Sequence, residues 1–182
     1  MKDLSLHVLD ILQNSTPVGS KDISLTICDS VKQDLMSFEI KDNGWGMDSE
    51  TLKRVTDPFY TSRTTRKVGL GLPLVKQNAE QTGGAFCIES QKGKGTITRF
   101  SFVLSNIDRP PMGELAGCFV LTIAQNEEIH FVLDYTTDKG QYIFDTNEIK
   151  EALDGISLNT PEVMKLLKEM IQSNLKDIGA NE

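Results

Sequence analysis

The chain has 182 residues and a formal net charge of −7, which suits one domain, or one domain with a sizeable extension. The acidic balance argues against a nucleic-acid backbone as partner, and no apolar run reaches the roughly twenty residues that a membrane span needs. Three widely spaced cysteines without a C-x-x-C pair indicate buried thiols in a reducing compartment rather than a zinc or redox site.

The first residues already carry polar side chains within an apolar stretch. MKDLSLHVLD contains Asp3 and His7 and lacks a small-residue cleavage site, so we expect no signal peptide and a soluble, cytoplasmic protein.

Apolar residues spaced three and four apart predict a helix over 4–13. Further along, helices are predicted over 49–55 and 72–82, and strands over 23–28, 35–41, 86–90 and 97–104.

The chain divides into two parts of different charge. Residues 1–106 hold 13 Lys/Arg against 12 Asp/Glu, whereas residues 107–182 hold 6 against 14. Residues 106–113 include two consecutive prolines and are the best linker. We therefore predict a first domain over 1–106 and a C-terminal extension of strands and helices over 107–182.

The C-terminal extension contains three apolar runs, 118–124, 129–135 and 142–144, which predict a meander of strands. Helices are predicted over 148–153 and 161–178. The strands either extend the first sheet or form a small α+β unit. An apolar stripe on the last helix most simply packs on its own domain; the alternative is a dimer or partner face.

Asp42 and the glycines after it, in DNGWGM, form the first candidate binding element. A carboxylate fixed at a strand end can accept a hydrogen bond from an exocyclic amine such as adenine N6. Glycines beside it, Gly44 and Gly46, would let a flat ring approach the backbone. An ordinary turn is the alternative interpretation, because D-N-G is also common turn chemistry.

A basic loop and a glycine-opened helix form the second candidate element. Gly69, Leu70 and Gly71 precede the predicted helix 72–82, whose N-terminus would attract phosphate. Residues 61–67 are all cationic or hydroxyl-bearing and include Arg63, a composition that suits a triphosphate. An exposed basic loop is the alternative.

The first helix supplies the third candidate element. Asp3, His7, Asp10 and Asn14 lie on one stripe, which is either a solvated face or part of a site. In the second case, the Asn14 amide oxygen can ligate Mg²⁺, and the Asp10 carboxylate one turn earlier can act as a general base.

In this order the motifs resemble those of the ATP-binding domain shared by gyrase, the Hsp90 chaperone, histidine kinases and MutL, the Bergerat (GHKL) fold. LHVLDILQNS resembles the N box, DNGWGM the first G box, DPFYTS the F box and VGLGLPLV the second G box. GKGTITRFSFVL is similar to the closing strand of the histidine-kinase subgroup. The resemblance covers about residues 4–104 and implies an α/β two-layer sandwich with a mixed sheet.

The resemblance also implies a role for individual residues. Asn14 would hold Mg²⁺, Asp42 would bind adenine N6, and Asp10 would stand where hydrolytic relatives usually have the longer Glu. The remaining implied nucleotide contacts are Gly44 in the first G box, Gly46 and Met47 at the ring, Thr96 through water, Phe59 as lid anchor, Arg63 as lid cation, and Gly69, Leu70 and Gly71 along the phosphates.

The expected activity is phosphoryl transfer from ATP to a protein in signal transduction, in the manner of stand-alone anti-sigma-factor serine kinases or a truncated sensor kinase. Only six residues precede His7, so we expect no phosphoacceptor hairpin before the domain, and the acceptor would lie on a partner or in the C-terminal part. The alternatives are a non-catalytic ATP-dependent switch and a slow ATPase coupled to dimer closure.

Overall fold

The structure, a computed structural model, describes residues 3–57 and 71–181. Within them, twelve elements follow in chain order: α1 Leu4–Ser15, β1 Asp22–Ser30, β2 Leu35–Asp42, α2 Ser49–Arg54, α3 Gly71–Gln81, β3 Phe86–Gln91, β4 Gly95–Val103, α4 Leu115–Ala124, β5 His130–Thr137, β6 Gln141–Asp145, α5 Thr146–Ala152 and α6 Pro161–Asp177. In the N-terminal part, the sequence predicts every one of these elements to within a few residues.

The six strands form one sheet in the order β3-β4-β2-β1-β5-β6. All neighbouring pairs are antiparallel except β1 and β5, which run parallel, so the sheet is mixed. Because side chains alternate along a strand, one face carries the buried residues and packs against α1, α3 and α4. The predicted two-layer sandwich with a mixed sheet is confirmed.

The buried face is apolar and aromatic. Phe38 on β2 stacks on Phe100 of β4 with ring centroids 4.7 Å apart, and Phe102 meets both rings edge-on. The opposite face is polar, and there Arg99 bonds to Glu39 and Glu89 at 2.6 Å. Among the described residues, α1, α3 and α4 cover the apolar face of the sheet, and the opposite face carries polar side chains.

The prediction of a strand over 118–124 is wrong, because this segment belongs to the helix α4. Its β-branched residues and unbroken apolar run are typical of a buried strand. In the fold, however, α4 lies between α1 and α6 and above the sheet, where Phe119 meets the rings of Phe131 and Phe144 edge-on. A helix with neighbours on nearly every side needs no polar stripe, so the helical period is absent from its sequence.

The strands of the C-terminal part extend the first sheet, which was one of the two predicted alternatives. β5 pairs with β1 over eight residues, and β6 completes the edge. The predicted linker is packed rather than loose: the carbonyl groups of Pro111 and Met112 accept hydrogen bonds from the first backbone N–H groups of α1, at 2.9 and 2.8 Å. The boundary at residue 106 between a first domain and a C-terminal extension stays a prediction.

The last helix, α6, packs on its own chain. Val163, Leu167 and Ile171 are buried and face α4, whereas Leu166 on the same helix is 56% exposed. The described contacts therefore account for most of the apolar stripe, and a dimer face stays a prediction. Among the described helices, none combines the length and the apolar character needed to cross a bilayer.

Candidate nucleotide-binding site

Asp42 ends β2 and is the buried carboxylate at the centre of the candidate site. Ser15, the last residue of α1, donates its hydroxyl to Oδ2 at 2.9 Å, while the Gly44 backbone N–H donates to Oδ1 at 3.0 Å. The Ser20 hydroxyl is a longer donor to Oδ1 at 3.4 Å. The side chain is therefore held in one orientation, with one hydrogen bond at Oδ2, an oxygen that can accept two.

The loop after Asp42 is fixed by the strand beside it. The Asn43 amide oxygen accepts the backbone N–H groups of Lys21 and Asp22 at 2.8 and 2.9 Å. The next residue but one, Trp45, donates its N–H to the Val18 carbonyl at 2.9 Å and leaves its ring 68% exposed. The backbone of the loop is thus held by hydrogen bonds at Asn43 and Trp45, and the exposed Trp45 ring lies against Gly19.

The glycines of this loop are required by the protein's own packing. A Cβ on Gly44 would lie 2.7 Å from the Val18 carbonyl oxygen, and one on Gly46 would collide with the Gln91 carbonyl. Gly46 also has φ +64°, a backbone conformation that favours glycine. Packing against the protein's own backbone is therefore a second reason why positions 44 and 46 are glycine, in addition to the predicted approach of a flat ring.

Met47 and Thr96 reach the same place through β3 and β4. Thr96 lies opposite Asp42 in the β2–β4 register, which puts the two residues side by side. The Ser90 hydroxyl accepts the Met47 N–H at 2.8 Å, lies 2.9 Å from the Thr96 hydroxyl and donates to the Gly95 carbonyl at 3.0 Å. The structure therefore gathers Asp42, Met47 and Thr96 at one end of the sheet.

Asp10 and Asn14 occupy successive turns of α1, beside the first turn of α3. A Cβ built on Gly71 would collide with Asp10 Oδ2, so the carboxylate touches the glycine that opens α3. Asn14 directly precedes Ser15, the residue that binds Asp42. The last two turns of α1 therefore contact both the carboxylate at the sheet, through Ser15, and the first residue of α3, through Asp10.

The predicted polar stripe of α1 is only partly solvated. Asp3 caps the helix by accepting the Leu6 N–H, and His7 is fully buried, with Nε2 2.9 Å from the Asn78 amide nitrogen. Burial lowers the pKa of His7 to about 4, so its ring is neutral at physiological pH, and Nδ1 has no hydrogen-bond partner in the described part of the chain. His7 is thus a structural residue between α1 and α3.

Two functional neighbours of Asp42, Ser15 and Ser20, were absent from the sequence-based prediction. Ser15 directly follows Asn14 in the N-box motif, which is a usable signal, whereas nothing in the sequence marks Ser20. The predicted site residues Phe59, Arg63, Gly69 and Leu70 lie outside the described residues. Across residues 3–57 and 71–181, no group of three His, Cys, Asp or Glu side chains could hold a metal ion.

Comparison with known proteins gives matches along the first part of the chain. The family described as "Histidine kinase-, DNA gyrase B-, and HSP90-like ATPase" matches residues 2–106. The sensor histidine kinase YxdK of Bacillus subtilis (strain 168) is 40% identical over 75 residues, which are 39% of this chain and 23% of the relative. Sporulation kinase E of the same organism is 37% identical over 91 residues, 49% of this chain and 12% of the relative. The chain thus matches less than a quarter of the length of these relatives.

One solved structure with a similar fold is the Aquifex aeolicus MutL ATPase domain complexed with ADP. It superposes with a TM-score of 0.54 at 14% identity, over 85% of this chain and 70% of that chain. Residues 1–106 make up less than two thirds of the present chain, so the superposition includes part of residues 107–182. The shared fold therefore extends beyond the residues that the family model matches.

Proposed function

Because the chain belongs to the histidine kinase-, DNA gyrase B- and HSP90-like ATPase family, we propose that it binds ATP beside Asp42 and transfers the γ-phosphoryl group to a partner protein. The match over residues 2–106 confirms the resemblance that the four motifs predict. The observation that carries the proposal is the position of α1, whose last two turns contact both the buried Asp42 carboxylate and the first residue of α3.

The adenine end of the proposed site is built around the remaining acceptor direction of Asp42. Its carboxylate accepts from Ser15, Ser20 and Gly44, and Oδ2, which has one of these bonds, can accept a second. Adenine N6–H is such a donor. Gly46 and Met47 are proposed to border the ring, and Thr96 to approach it through water, because Met47 and Thr96 lie at the same end of the sheet as Asp42.

The phosphate end is proposed to lie along α1 and the N-terminus of α3. The first backbone N–H groups of an eleven-residue helix favour anions. Asn14 offers an amide oxygen, a hard ligand that fits Mg²⁺, and the bound ion would neutralise phosphate charge. In the transfer, a nucleophile on the partner attacks the γ-phosphorus, the bond to ADP breaks, and Asp10 takes the proton of the nucleophile.

Slow ATP hydrolysis is the second candidate function, and the position of Asp10 favours it. The carboxylate touches Gly71, where phosphate oxygens are proposed to lie, so it could also receive a proton from an attacking water. A non-catalytic ATP-dependent switch is the third. The phosphoacceptor, a homodimer and the cytoplasmic location stay predictions.

Incubation with γ-labelled ATP and Mg²⁺ separates these functions. Label on the protein, or on an added partner, supports phosphoryl transfer, and free labelled phosphate supports an ATPase. ATP binding without either product supports the switch. Mass spectrometry of labelled protein then identifies Ser, Thr or His as the acceptor. If no nucleotide binds, all three functions are excluded.

A further inference from the structure

A row of polar side chains connects the C-terminal part of the chain to the loop after Asp42. The Asn43 amide donates to Asp22 Oδ2 at 2.6 Å, and the other oxygen of Asp22 lies 3.0 Å from His130 Nδ1. On the far side of the ring, His130 Nε2 lies 2.9 Å from Asp145 Oδ1. One histidine of β5 is thus held between a carboxylate of β1 and a carboxylate at the end of β6.

This geometry requires a protonated ring. An ionised carboxylate only accepts hydrogen bonds, so both ring nitrogens of His130 must carry hydrogen to satisfy both contacts. A neutral ring would turn a lone pair toward one carboxylate. Burial alone would lower the pKa of His130, but the hydrogen bonds and charges of Asp22 and Asp145 outweigh it and raise the pKa above its ordinary value.

Asp22 lies between His130 and the loop that follows Asp42, and its carboxylate contacts both. Its backbone N–H and its carboxylate both contact the Asn43 amide, and Asn43 is followed directly by Gly44, which donates to Asp42. The three bonds of the Asn43 amide fix the start of this loop against β1. Any movement of the Asp22 side chain therefore changes the support of the loop that orients Asp42.

We propose that His130, in its protonated form, is a positioning residue for nucleotide binding, acting through Asp22 and Asn43 on the loop that carries Asp42. The inference rests on the proposed ATP site. It gives the C-terminal part a role in that site, because β5 supplies the histidine and β6 supplies the carboxylate that holds it.

The charged groups around His130 are few in the described structure. Asp22 faces it from β1 and Asp145 from the end of β6, where Asp145 also caps α5 by accepting the Asn147 N–H. The other charged residues at this end, Lys21, Glu128 and Glu148, are exposed. His130 is therefore the group whose titration changes the hydrogen bonds of this row.

The test measures ATP·Mg²⁺ affinity from about pH 5.5 to about pH 9, a range that spans histidine titration. Trp45 is the only tryptophan and lies two residues after Asn43, so its fluorescence serves as the readout, with isothermal titration calorimetry beside it. We expect affinity to fall about fivefold to tenfold as His130 loses its proton, since a charge-assisted hydrogen bond is lost. In His130→Ala, affinity should be low throughout and lack this change.

A matched control variant shows how far general charge effects and the titration of the nucleotide itself change the affinity with pH. Asp134→Asn alters a charge on the same strand and face, where Asp134 bonds to Gln141 and not to the row. It should follow the wild-type curve. Equal pH curves for wild type and His130→Ala, each compared with this control, would overturn the inference.

Asp22→Asn distinguishes positioning from simple structural support. Its amide oxygen can still accept from Asn43, and its NH₂ group can donate to the lone pair of a neutral His130, so the row is satisfied without the ring charge. We expect this variant to keep its affinity at high pH. Loss of affinity at high pH, as in wild type, would contradict the proposed role of the charge.

A second readout keeps the inference separate from ATP binding. In nuclear magnetic resonance titrations without nucleotide, the Asn43 side-chain amide and the Trp45 indole signal should shift with the same midpoint as the His130 ring. If ATP fails to bind but these signals titrate together, the proposed function fails and the coupling stands. If they do not titrate with His130, the coupling fails.

Discussion

At the residue scale, Asp42 is a buried carboxylate that the protein surrounds with hydrogen-bond donors. Its carboxylate accepts hydrogen bonds from three donors of the protein. Each donor comes from a different segment: the end of α1, the turn before β1 and the loop after β2. A buried carboxylate with such partners keeps its orientation, because any rotation would leave a donor unpaired. If the proposed site is correct, the adenine amine would be a fourth donor to a carboxylate whose orientation the protein already fixes.

Asp42→Asn tests the proposed adenine contact. The amide oxygen can still accept the Gly44 N–H, so folding should change little, but an NH₂ group replaces Oδ2 and faces the adenine amine. We expect ATP to bind about 10- to 100-fold more weakly, since a hydrogen bond to a charged group contributes about 1.5–3 kcal/mol. Trp45 fluorescence titration measures the effect, and Ser20→Ala, which removes only the 3.4 Å bond, is the milder control.

Asp10→Asn tests the proposed base. The substitution keeps the size of the side chain beside Gly71 and removes its ability to accept a proton. We expect turnover of labelled ATP to slow by about 10²- to 10⁴-fold while ATP affinity stays nearly constant. A parallel loss of binding and turnover would show that Asp10 supports the site rather than the chemistry.

At the scale of elements, the loop between β2 and α2 is held by contacts with the β3–β4 hairpin. The Gly93 N–H donates to the Trp45 carbonyl at 2.6 Å, and the missing Cβ of Gly46 makes room for the Gln91 carbonyl. The hairpin and the loop therefore form one rigid corner beside Asp42.

Gly46→Ala and Gly93→Ala form a matched pair at this corner. Both glycines have positive φ, +64° and +79°, but a Cβ at Gly93 meets nothing within 4 Å. We expect Gly93→Ala to lose about 1 kcal/mol of unfolding free energy from backbone strain alone. Gly46→Ala should lose at least about 2–3 kcal/mol, because its neighbour is backbone that must move. Urea denaturation gives both values, and equal losses would contradict the steric argument.

The α1–α3 contact contains a second histidine with the opposite pH response. The pKa of His7 falls from 6.5 to about 4 on folding, so the unfolded chain binds the proton first as pH decreases. The stability that neutral His7 confers is present above about pH 6.5 and is lost as pH falls toward 4, by roughly 3 kcal/mol in total. Denaturation at several pH values should show a smaller acid loss in His7→Gln, which cannot titrate but still offers Asn78 an acceptor.

At the scale of the whole molecule, the C-terminal part completes the layers that the N-terminal part begins. β5 covers the edge of β1, α4 packs on α1, and the carbonyl groups of Pro111 and Met112 satisfy the N-terminus of α1. Without these contacts, the edge of β1 and one side of α1 would face water.

A chain ending after residue 106 should therefore fail to fold cooperatively. It would expose the edge of β1 that pairs with β5 and the side of α1 that packs on α4. Thermal unfolding followed by circular dichroism, beside the full chain, measures this. A sharp transition with retained ATP binding would instead establish residues 1–106 as an independent domain.

The sequence by itself determined the order of the motifs and, through local periodicity, nearly all of the first seven elements. Asp10, Asn14, Asp42 and Gly71 could be selected because their chemistry is local: a carboxylate at a strand end, an amide one turn after an acid, and a glycine that opens a helix. Such features depend on neighbours in the sequence, and so they can be read from it.

Tertiary structure alone decided the remainder. Whether 118–124 is a helix or a strand depends on which elements surround an unbroken apolar run, and these come from α1, α6 and the sheet. The partners of Asp42 and the two environments of His7 and His130 likewise bring together residues distant in sequence. Burial and charge pairing are properties of the assembled fold, and for that reason no local sequence pattern predicts them.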